Sequence, residues 1–360
     1  MIHDGGSAWP IGRRLLVFGA MSAIVGVGYF FSHYHSTAQP AAPAPTPTSL
    51  IPIAILPFDV RGGEEVDVLS AGMVTLLGIR LDGAGNLRRV DTNAVLSFVR
   101  QQGRAALQAD QGHAVAQHFH AGLYVLGTIV VSKDHIRIDA SLYDTKRIAA
   151  AEKEVTVEGD SARLPDLVDE LASGLCADRL REMNVRVAKL AAVTSPSFDA
   201  LRAYLEGEAM MRGNRYREAA AAFRRALEAD PLFALAHYRL SMVAAWSGES
   251  GAANEAADAL QHAVLLSNRL PEHERQLLEA RLADQRGLPD DAGQRYRALI
   301  ASAPDDWEAW FGLGETLARN PSPSRPPSAV RGAFEQALAL VPDHAAVRAR
   351  LAQVVSAAGE

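Results

Sequence analysis

Three histidines close together in the sequence are the first candidates for metal or proton chemistry. His113, His118 and His120 fall in a segment with helical spacing. His113 and His120 would share one helix face but lie about 10 Å apart along it, which is too far to bind one ion. His118 would lie on another face. We therefore predict no metal site. The simplest interpretation is surface histidines that titrate at about pH 6, with a pH-sensing role left open.

No motif for catalysis accompanies these histidines in the sequence. The glycine clusters are not followed by the Lys-Ser or Lys-Thr of a phosphate-binding loop, and His273-Glu274 lacks the second histidine of a zinc-protease motif. The sequence contains no Gly-x-Ser-x-Gly elbow for a nucleophilic serine. The acidic pair Asp290-Asp291 opens a helical pattern, where a solvated carboxylate suits the helix dipole. We predict that the protein is not an enzyme and uses no cofactor.

The composition limits the remaining classes of function. The 360 residues are 48% hydrophobic and 22% charged, with a net charge of −6, a composition typical of globular proteins. A chain of this length can form two or three domains. A nucleic-acid binder usually carries a basic surplus, so we expect no nucleic-acid partner. The single cysteine, Cys176, excludes an intramolecular disulfide. It falls in a helical run, where we predict a buried, small apolar side chain.

The N-terminal residues predict a membrane segment at 13–34, after a short cytoplasmic tail at 1–12. Arg13 and Arg14 precede a stretch without charge at 15–31, which as a helix would span about 25 Å and reach across a thin bilayer core. Arginines before a span favour a cytoplasmic N-terminus. We therefore expect a single-pass protein of the bacterial inner membrane with its bulk in the periplasm.

A removed signal peptide is the alternative to an anchor. Ser36-Thr37-Ala38 is an acceptable small-residue cleavage site, and cleavage would release the protein into the periplasm. The proline-rich segment at 35–50 follows, and such a composition favours an extended, semi-rigid linker. In either case the linker would separate the membrane from the domains that come after it.

The first half of a mixed α/β domain, predicted at 51–190, begins with a strand. The apolar run IPIAILPF predicts a buried strand, and VDVLSAGMVTLLGIRL has the spacing of a helix. Gly83 and Gly85 are suited to stop that helix. NLRRVD predicts a second strand, after which Thr92 would cap a short helix that extends to Phe98.

The second half of this domain predicts an antiparallel meander. A helix near residues 113–120 leads into three strands, which are separated by turns at Lys133-Asp134 and Thr145-Lys146. A single long helix at 161–190 would close the domain.

The same region resembles the TolB-like N-terminal domain of bacterial regulators that carry helical repeats. The resemblance depends on IAILPFDV, SAGMVTLLGIRL, NLRRVDT and HAVAQHFHAGLYVLGTIV, which occur in that order. Members of this group open with a strand that ends in Leu-Pro-Phe, here at residues 56–58. Where members have an acidic residue after the serine at the start of the next helix, this chain has Ala71. The resemblance implies the fold of the domain more than its function.

Degenerate helix pairs fill residues 198–357 and resemble tetratricopeptide (TPR) repeats. Four pairs and a terminal helix can be aligned, and small residues such as Gly207 and Gly314 fall where the helices of a pair would cross. Larger residues such as Phe223 and Phe334 would fill the layer beside them. The first repeat matches the TPR spacing at Gly207, Tyr216, Ala219, Phe223, Ala226 and Pro231. The predicted fold class is therefore α/β plus all-α: a transmembrane helix, a small mixed α/β domain and a right-handed TPR-type α-solenoid.

The resemblance to TPR proteins implies a concave groove lined by the first helix of each pair. Tyr, Trp, Met and Arg, which are enriched in interfaces, recur along these helices. Packing between helices is the competing interpretation for the aromatic residues. The Lys and Asn set with which some TPR domains clamp a C-terminal carboxylate is missing. The predicted groove residues are Tyr204, Glu208, Arg212, Tyr238, Met242, Trp246, Arg281, Glu315 and Arg319.

These observations predict a non-enzymatic, membrane-anchored periplasmic scaffold or adaptor that binds a protein or peptide partner. It would be an accessory or regulatory factor of an envelope or signalling system. The alternative is a periplasmic small-molecule or pH sensor, similar to the sensory half of one-component regulators, receptor kinases or cyclases. In that alternative, the ligand would occupy a cleft between the α/β domain and the first repeat.

Overall fold

A computed structural model describes residues 50–62, 66–103, 107–147, 150–179, 189–321 and 326–357. The predicted cytoplasmic tail, the membrane or signal segment and nearly all of the linker lie outside these residues. Among the helices that are described, none combines the length and the apolar character needed to cross a bilayer. The chain from Leu50 onward forms one compact unit, which includes both the sheet and the helix pairs.

The sheet of the α/β domain is mixed. Its strands are β1 (Ile51–Ile55), β2 (Asp59–Arg61), β3 (Leu87–Arg89), β4 (Leu123–Ser132), β5 (His135–Asp144) and β6 (Ala151–Asp160). Strand β1 is parallel to β3 on one side and to β4 on the other, and β2 continues along β4 beyond the end of β1. Strands β4, β5 and β6 form the predicted antiparallel meander. The order across the sheet is β3-β1-β4-β5-β6.

Helices cover both faces of this sheet. They are α1 (Val66–Leu81), α2 (Thr92–Gln101), α3 (Ala109–His118), α4 (Leu164–Leu175) and α5 (Leu190–Val193). Alternate residues of β1 point to opposite faces, so Ile53 and Ile55 join the core beneath α1 and α4, whereas Ala54 and Leu56 pack with α2 and α3. Phe58 of the Leu-Pro-Phe motif requires a glycine on β4, since any side chain at Gly127 would overlap its ring.

Two local predictions for this domain are wrong. Asp91, not Thr92, caps α2, because the Asp91 carboxylate accepts the backbone N–H of Ala94 at 2.8 Å. The single helix predicted at 161–190 begins as a 3₁₀ turn, and α4 ends at Leu175. Cys176 follows directly and is buried as predicted, and burial raises the pKa of its thiol to about 11.

The predicted helix pairs are present in the described part of the repeats. Gly207 and Gly314 confirm the expected close crossings. A Cβ atom on Gly207 would lie 2.6 Å from the ring of Phe223, and one on Gly314 would lie 2.8 Å from the ring of Phe334. The pairs are α6 (Phe198–Arg212) with α7 (Tyr216–Ala229), α8 (Ala234–Ser247) with α9 (Ala252–Leu265), α10 (Glu272–Gln285) with α11 (Pro289–Ser302), and α12 (Trp307–Arg319) with α13 (Pro327–Leu340). The terminal helix is α14 (Ala345–Ala357).

The first repeat contacts the last helix, so the array closes on itself. Asn214, in the turn between α6 and α7, donates from Nδ2 to the carbonyl of Asp343 at 2.7 Å. Its Oδ1 accepts the N–H of Ala345 at 2.8 Å, and the Tyr216 hydroxyl accepts the N–H of Ala346 at 3.1 Å. These N–H groups open α14 and have no partner within that helix. The first repeat therefore supplies the N-terminal cap of the terminal helix.

Candidate binding cavity of the repeats

A cavity of about 440 Å³ lies between the first helices of repeats two, three and four. Helices α8, α10 and α12 supply most of its wall, and α11 and α14 add one side chain each. Aromatic and aliphatic groups alternate with charged ones along the wall. The lining residues are Tyr238, Met242, Ala245, Trp246, Leu277, Arg281, Asp284, Gln285, Tyr296, Glu308, Phe311, Gly312, Glu315, Arg319 and Arg350.

The structure brings six of the predicted groove residues together around this cavity and places three elsewhere. The six are Tyr238, Met242, Trp246, Arg281, Glu315 and Arg319. Tyr204, Glu208 and Arg212 lie on α6, and no lining residue of the cavity comes from that helix among the described residues. The concave face is therefore divided between an accessible part and a part that is covered.

The α/β domain covers the first-repeat part of the concave face. Tyr204 and Glu208 face Asp91 and Asn93 around a space of about 20 Å³, which is enough for roughly one water molecule. The side chain of Arg212 is only 8% exposed and lies against the end of α2. Desolvation by burial lowers the pKa of Arg212 and raises that of Tyr204.

A buried ion network joins this covered part to the floor of the cavity. Arg239 on α8 pairs with Glu208 at 2.8 Å and also with Glu308 on α12. The Tyr238 hydroxyl donates to Glu308 at 3.1 Å. Burial, as the largest effect, raises the pKa of Glu308, although Arg239 opposes that change. The first helices of repeats two and four are therefore tied together beneath the cavity.

The arginines of the lining differ in their partners. Arg319 pairs with Asp284, and Arg350 pairs with Glu315 at 3.0 Å. Arg281 donates instead to the hydroxyl of Ser241 at 3.0 Å and to the Ser241 carbonyl at 3.3 Å. No carboxylate of the described residues forms an ion pair with Arg281. The cavity therefore contains a half-buried guanidinium whose charge is not neutralised by a direct partner.

Aromatic rings form one end of the cavity. The Trp246 ring meets Phe311 edge to face at 5.9 Å and His344 at 5.4 Å. His344 also lies against Trp307, with ring centroids 4.5 Å apart. Burial among these rings lowers the pKa of His344 to about 4. Burial likewise raises the pKa of the Tyr296 hydroxyl. This end can accept an apolar group, and Arg281 can accept an anion beside it.

Sequence reasoning did not assign Tyr296, Glu308, Phe311 and Arg350 to the cavity. Tyr296 also packs between helices, because a Cβ atom on Gly312 would clash with its ring. Phe311 precedes the predicted groove residue Glu315 by four residues on α12, and this helical spacing is a signal in the sequence. Arg350 reaches the cavity because the array closes, and we find no local pattern that signals this closure.

A second polar contact lies between the α/β domain and repeats three and four. Arg88 pairs with Asp305 at 2.7 Å, and Arg89 pairs with Glu274. The Asp91 N–H donates to Asp305 at 2.6 Å. Burial and then the nearby Asp306 carboxylate raise the pKa of the Asp91 carboxyl to about 8. These contacts hold strand β3 against the starts of α10 and α12.

The histidines singled out in the sequence do not form a metal site in the described residues. His118 stacks on Phe98 at 3.9 Å, and His113 meets Tyr124 edge to face. Burial lowers the pKa of His118. Across the described ranges, no group of three or more His, Cys, Asp or Glu side chains is placed to hold a metal ion.

Comparison with known families identifies the repeats. The family model of the tetratricopeptide repeat matches residues 204–264 and 277–345. The C-terminal part of the chain therefore contains TPR repeats, which are typical protein-interaction modules. The two matched segments include most of the cavity lining. A search of curated proteins finds no match to the chain.

Two solved structures show weak likeness to the chain. The LpoB C-terminal domain from Salmonella enterica is 10% identical, and the match covers 32% of this chain and 87% of that domain with a TM-score of 0.25. YrrB, described as a TPR protein with an unusual peptide-binding site, is 22% identical, with 52% and 86% of the two chains covered and a TM-score of 0.26.

Proposed function

We propose that the protein is a non-enzymatic adaptor that binds a protein or peptide partner through the cavity between α8, α10 and α12. The observation that carries this proposal is an accessible cavity of about 440 Å³ built largely from residues of the matched TPR repeats. Trp246 and Arg281 are only half-buried there, and Arg319 is exposed at the rim. Aromatic and arginine side chains of this kind are enriched among the residues that contribute most to binding.

The uncharged N-terminal segment of the sequence supports a periplasmic location for this adaptor. We propose that residues 13–34 anchor the chain in the bacterial inner membrane or are cleaved as a signal, and that the bulk lies in the periplasm. Residues 51–190 would be the TolB-like domain, placed between the linker and the repeats. Protease added to intact spheroplasts should digest the protein. Protection until the membrane is opened would contradict the periplasmic location.

A small-molecule sensor is the second candidate, and the structure changes where its ligand would bind. The cleft predicted between the α/β domain and the first repeat is closed. A Cβ atom on Gly72 of α1 would lie 2.9 Å from Leu205 of α6, and the nearby space of about 20 Å³ fits about one water molecule. The cavity between α8, α10 and α12 is of the size of ordinary ligand pockets, about 300–1,000 Å³.

Site-specific crosslinking in cells tests the adaptor proposal with the full chain. A photoreactive residue at Gln285, which is exposed at the cavity rim, should give a discrete product with a second protein. The same residue at Glu170, which is exposed on α4, is the matched control and should not give that product. The proposal is wrong if the two positions give the same products, or if Gln285 gives none.

A cavity-filling variant sharpens this test. Ala245 is exposed and lines the cavity, so Ala245→Trp adds bulk at the entrance without disturbing a buried position. We expect it to abolish the crosslink from Gln285 while the melting temperature stays close to that of the wild type. A crosslink that persists in this variant would place the partner on another surface.

A further inference from the structure

We propose that the cavity between α8, α10 and α12 binds a carboxylate group carried on an aromatic or branched apolar body. This inference rests on the proposed adaptor function, because it names the chemistry of the partner group that anchors there. The group would insert its apolar body beside Trp246 and Phe311 and pair its carboxylate with Arg281.

The charges around the cavity favour an anionic ligand. Arg319 and Arg350 are already paired with Asp284 and Glu315. The remaining acid of the wall, Glu308, is engaged from below by Arg239 and Tyr238. Once these pairs are set aside, the positive charge of Arg281 remains. An incoming carboxylate is the partner that this guanidinium lacks among the described residues.

Arg281 is also held in a position suited to recognition. Two of its N–H groups donate to the hydroxyl and the carbonyl oxygen of Ser241, so the side chain is fixed from one side. A guanidinium has five N–H donors, and those that remain can bind a carboxylate. Because the side chain is ordered before binding, less conformational entropy is lost when the ligand arrives.

The apolar wall determines the rest of the ligand. Met242 and Leu277 lie along the cavity, and Trp246 and Phe311 present aromatic surface. A simple inorganic anion would leave this surface exposed to water, whereas a phenyl or branched aliphatic group would cover it. Such an acid can be a free small molecule or the end of a peptide, and the two sources share the same recognition chemistry.

Calorimetric titration of the full chain in detergent tests the inference. N-acetylphenylalanine should bind, and N-acetylphenylalaninamide, which lacks the carboxylate, should bind about tenfold to a hundredfold more weakly. N-acetylglycine has the charge without the apolar body and should also bind more weakly. Equal binding of the acid and the amide, or binding of none of these probes, would overturn the inference.

Variants assign the effect to one guanidinium. Arg281→Met keeps an unbranched apolar stem but removes the guanidinium and its charge, and should weaken binding of N-acetylphenylalanine by about tenfold or more. Arg281→Lys keeps the charge and should recover part of the affinity, which a purely structural role would not predict. Arg295→Met, on the exposed face of α11 outside the cavity lining, is the matched control and should bind as the wild type does. Unchanged affinity in Arg281→Met would contradict the inference.

A short peptide and its amidated form distinguish a peptide end from a free acid as the ligand. Together with the crosslink from Gln285, they also distinguish failure of the carboxylate inference from failure of the adaptor proposal. A short acetylated peptide ending in phenylalanine should bind more tightly than N-acetylphenylalanine if the ligand is a peptide end, and more weakly if it is a free acid. In both cases, amidation of its C-terminus should reduce binding. If the crosslink from Gln285 persists while no acid binds, the carboxylate inference fails and the adaptor stands. If acids bind but no site-dependent crosslink forms, the adaptor proposal fails.

Discussion

The first two repeats place side chains at equivalent positions in very different surroundings. Glu208 and Arg212 on α6 are 34 residues before Met242 and Trp246 on α8, which is the TPR period. Glu208 and Arg212 are covered by the α/β domain, and both side chains are less than 10% exposed. Met242 and Trp246 instead line the accessible cavity, where Trp246 is half-buried although Met242 is only 8% exposed. The difference shows that position within a repeat does not decide whether a side chain is available to a partner.

The covered side depends on buried ion pairs, whereas the accessible side keeps a charge without a direct partner. Arg239 pairs with both Glu208 and Glu308, Arg212 is a second cation beside Glu208, and all four side chains are less than 10% exposed. Buried charges of this kind are destabilising as soon as one partner is removed. Arg281 is half-buried and has only hydrogen bonds to Ser241. We therefore expect the buried ion network around Arg239 to control the stability of the fold and Arg281 to control binding.

The largest effect should come from breaking the buried network. Arg239→Met leaves Glu208 and Glu308 in the interior without their main cation, and we expect the free energy of unfolding to fall by about 3–5 kcal/mol. Urea unfolding monitored by circular dichroism measures this change. Arg350→Met removes a partly exposed guanidinium at the cavity and should cost about 1 kcal/mol or less. Similar losses for the two variants would contradict the distinction between the covered and accessible sides.

Much of the fold follows from sequence patterns because its signals are local. Helical spacing in VDVLSAGMVTLLGIRL and the turn at Lys133-Asp134 depend on neighbouring residues, and both are found as predicted. The closeness of Gly207 to Phe223 follows from the repeat pattern in the same way. The end of α4 at Leu175 has no signal of this kind, because in the sequence the apolar spacing continues beyond Leu175.

The candidate site was predictable only in part because its contacts join distant residues. The repeat pattern placed Trp246 and Arg281 on first helices, and they do line the cavity. The same pattern placed Tyr204 in the groove, but it gives no information on the α/β domain that faces this residue. Ion pairs such as Arg88 with Asp305 join residues more than two hundred positions apart, and nothing near either residue in the sequence signals the contact.

The free energy of unfolding should decrease in acid because of His344, which lies where the repeat array closes on itself. Its pKa is lowered by burial to about 4 from the ordinary 6.5, so the native state favours the neutral ring. The imidazole therefore takes up a proton on unfolding below pH 6.5, and the free energy of unfolding decreases as the pH falls from 6.5 towards 4. Relative to its value at about pH 7.5, the free energy of unfolding should fall by about 2 kcal/mol at about pH 5 from this group alone.

A variant isolates this contribution from other histidines. Burial also lowers the pKa of His237, so the wild-type protein alone gives a mixed pH dependence. His344→Phe keeps an aromatic ring against Trp246 and Trp307 but cannot be protonated. Urea unfolding at both pH values should show a smaller acid loss in the variant than in the wild type. Parallel losses would mean that His344 does not contribute.

The smallest effect should come from the cap that the first repeat provides to α14. Asn214→Gly removes the amide that accepts the Ala345 N–H and donates to the Asp343 carbonyl, and should cost about 1 kcal/mol. Asn214 has a φ of 58°, so glycine retains this backbone conformation at no steric cost. Asn214→Ala loses the same hydrogen bonds and also strains the left-handed backbone, which should add about 1 kcal/mol or more. Hydrogen exchange at Ala345 and Ala346 should accelerate in both variants. If exchange is unchanged there, the Asn214 contact does not hold the terminal helix against the first repeat, and Arg350 reaches the cavity without it.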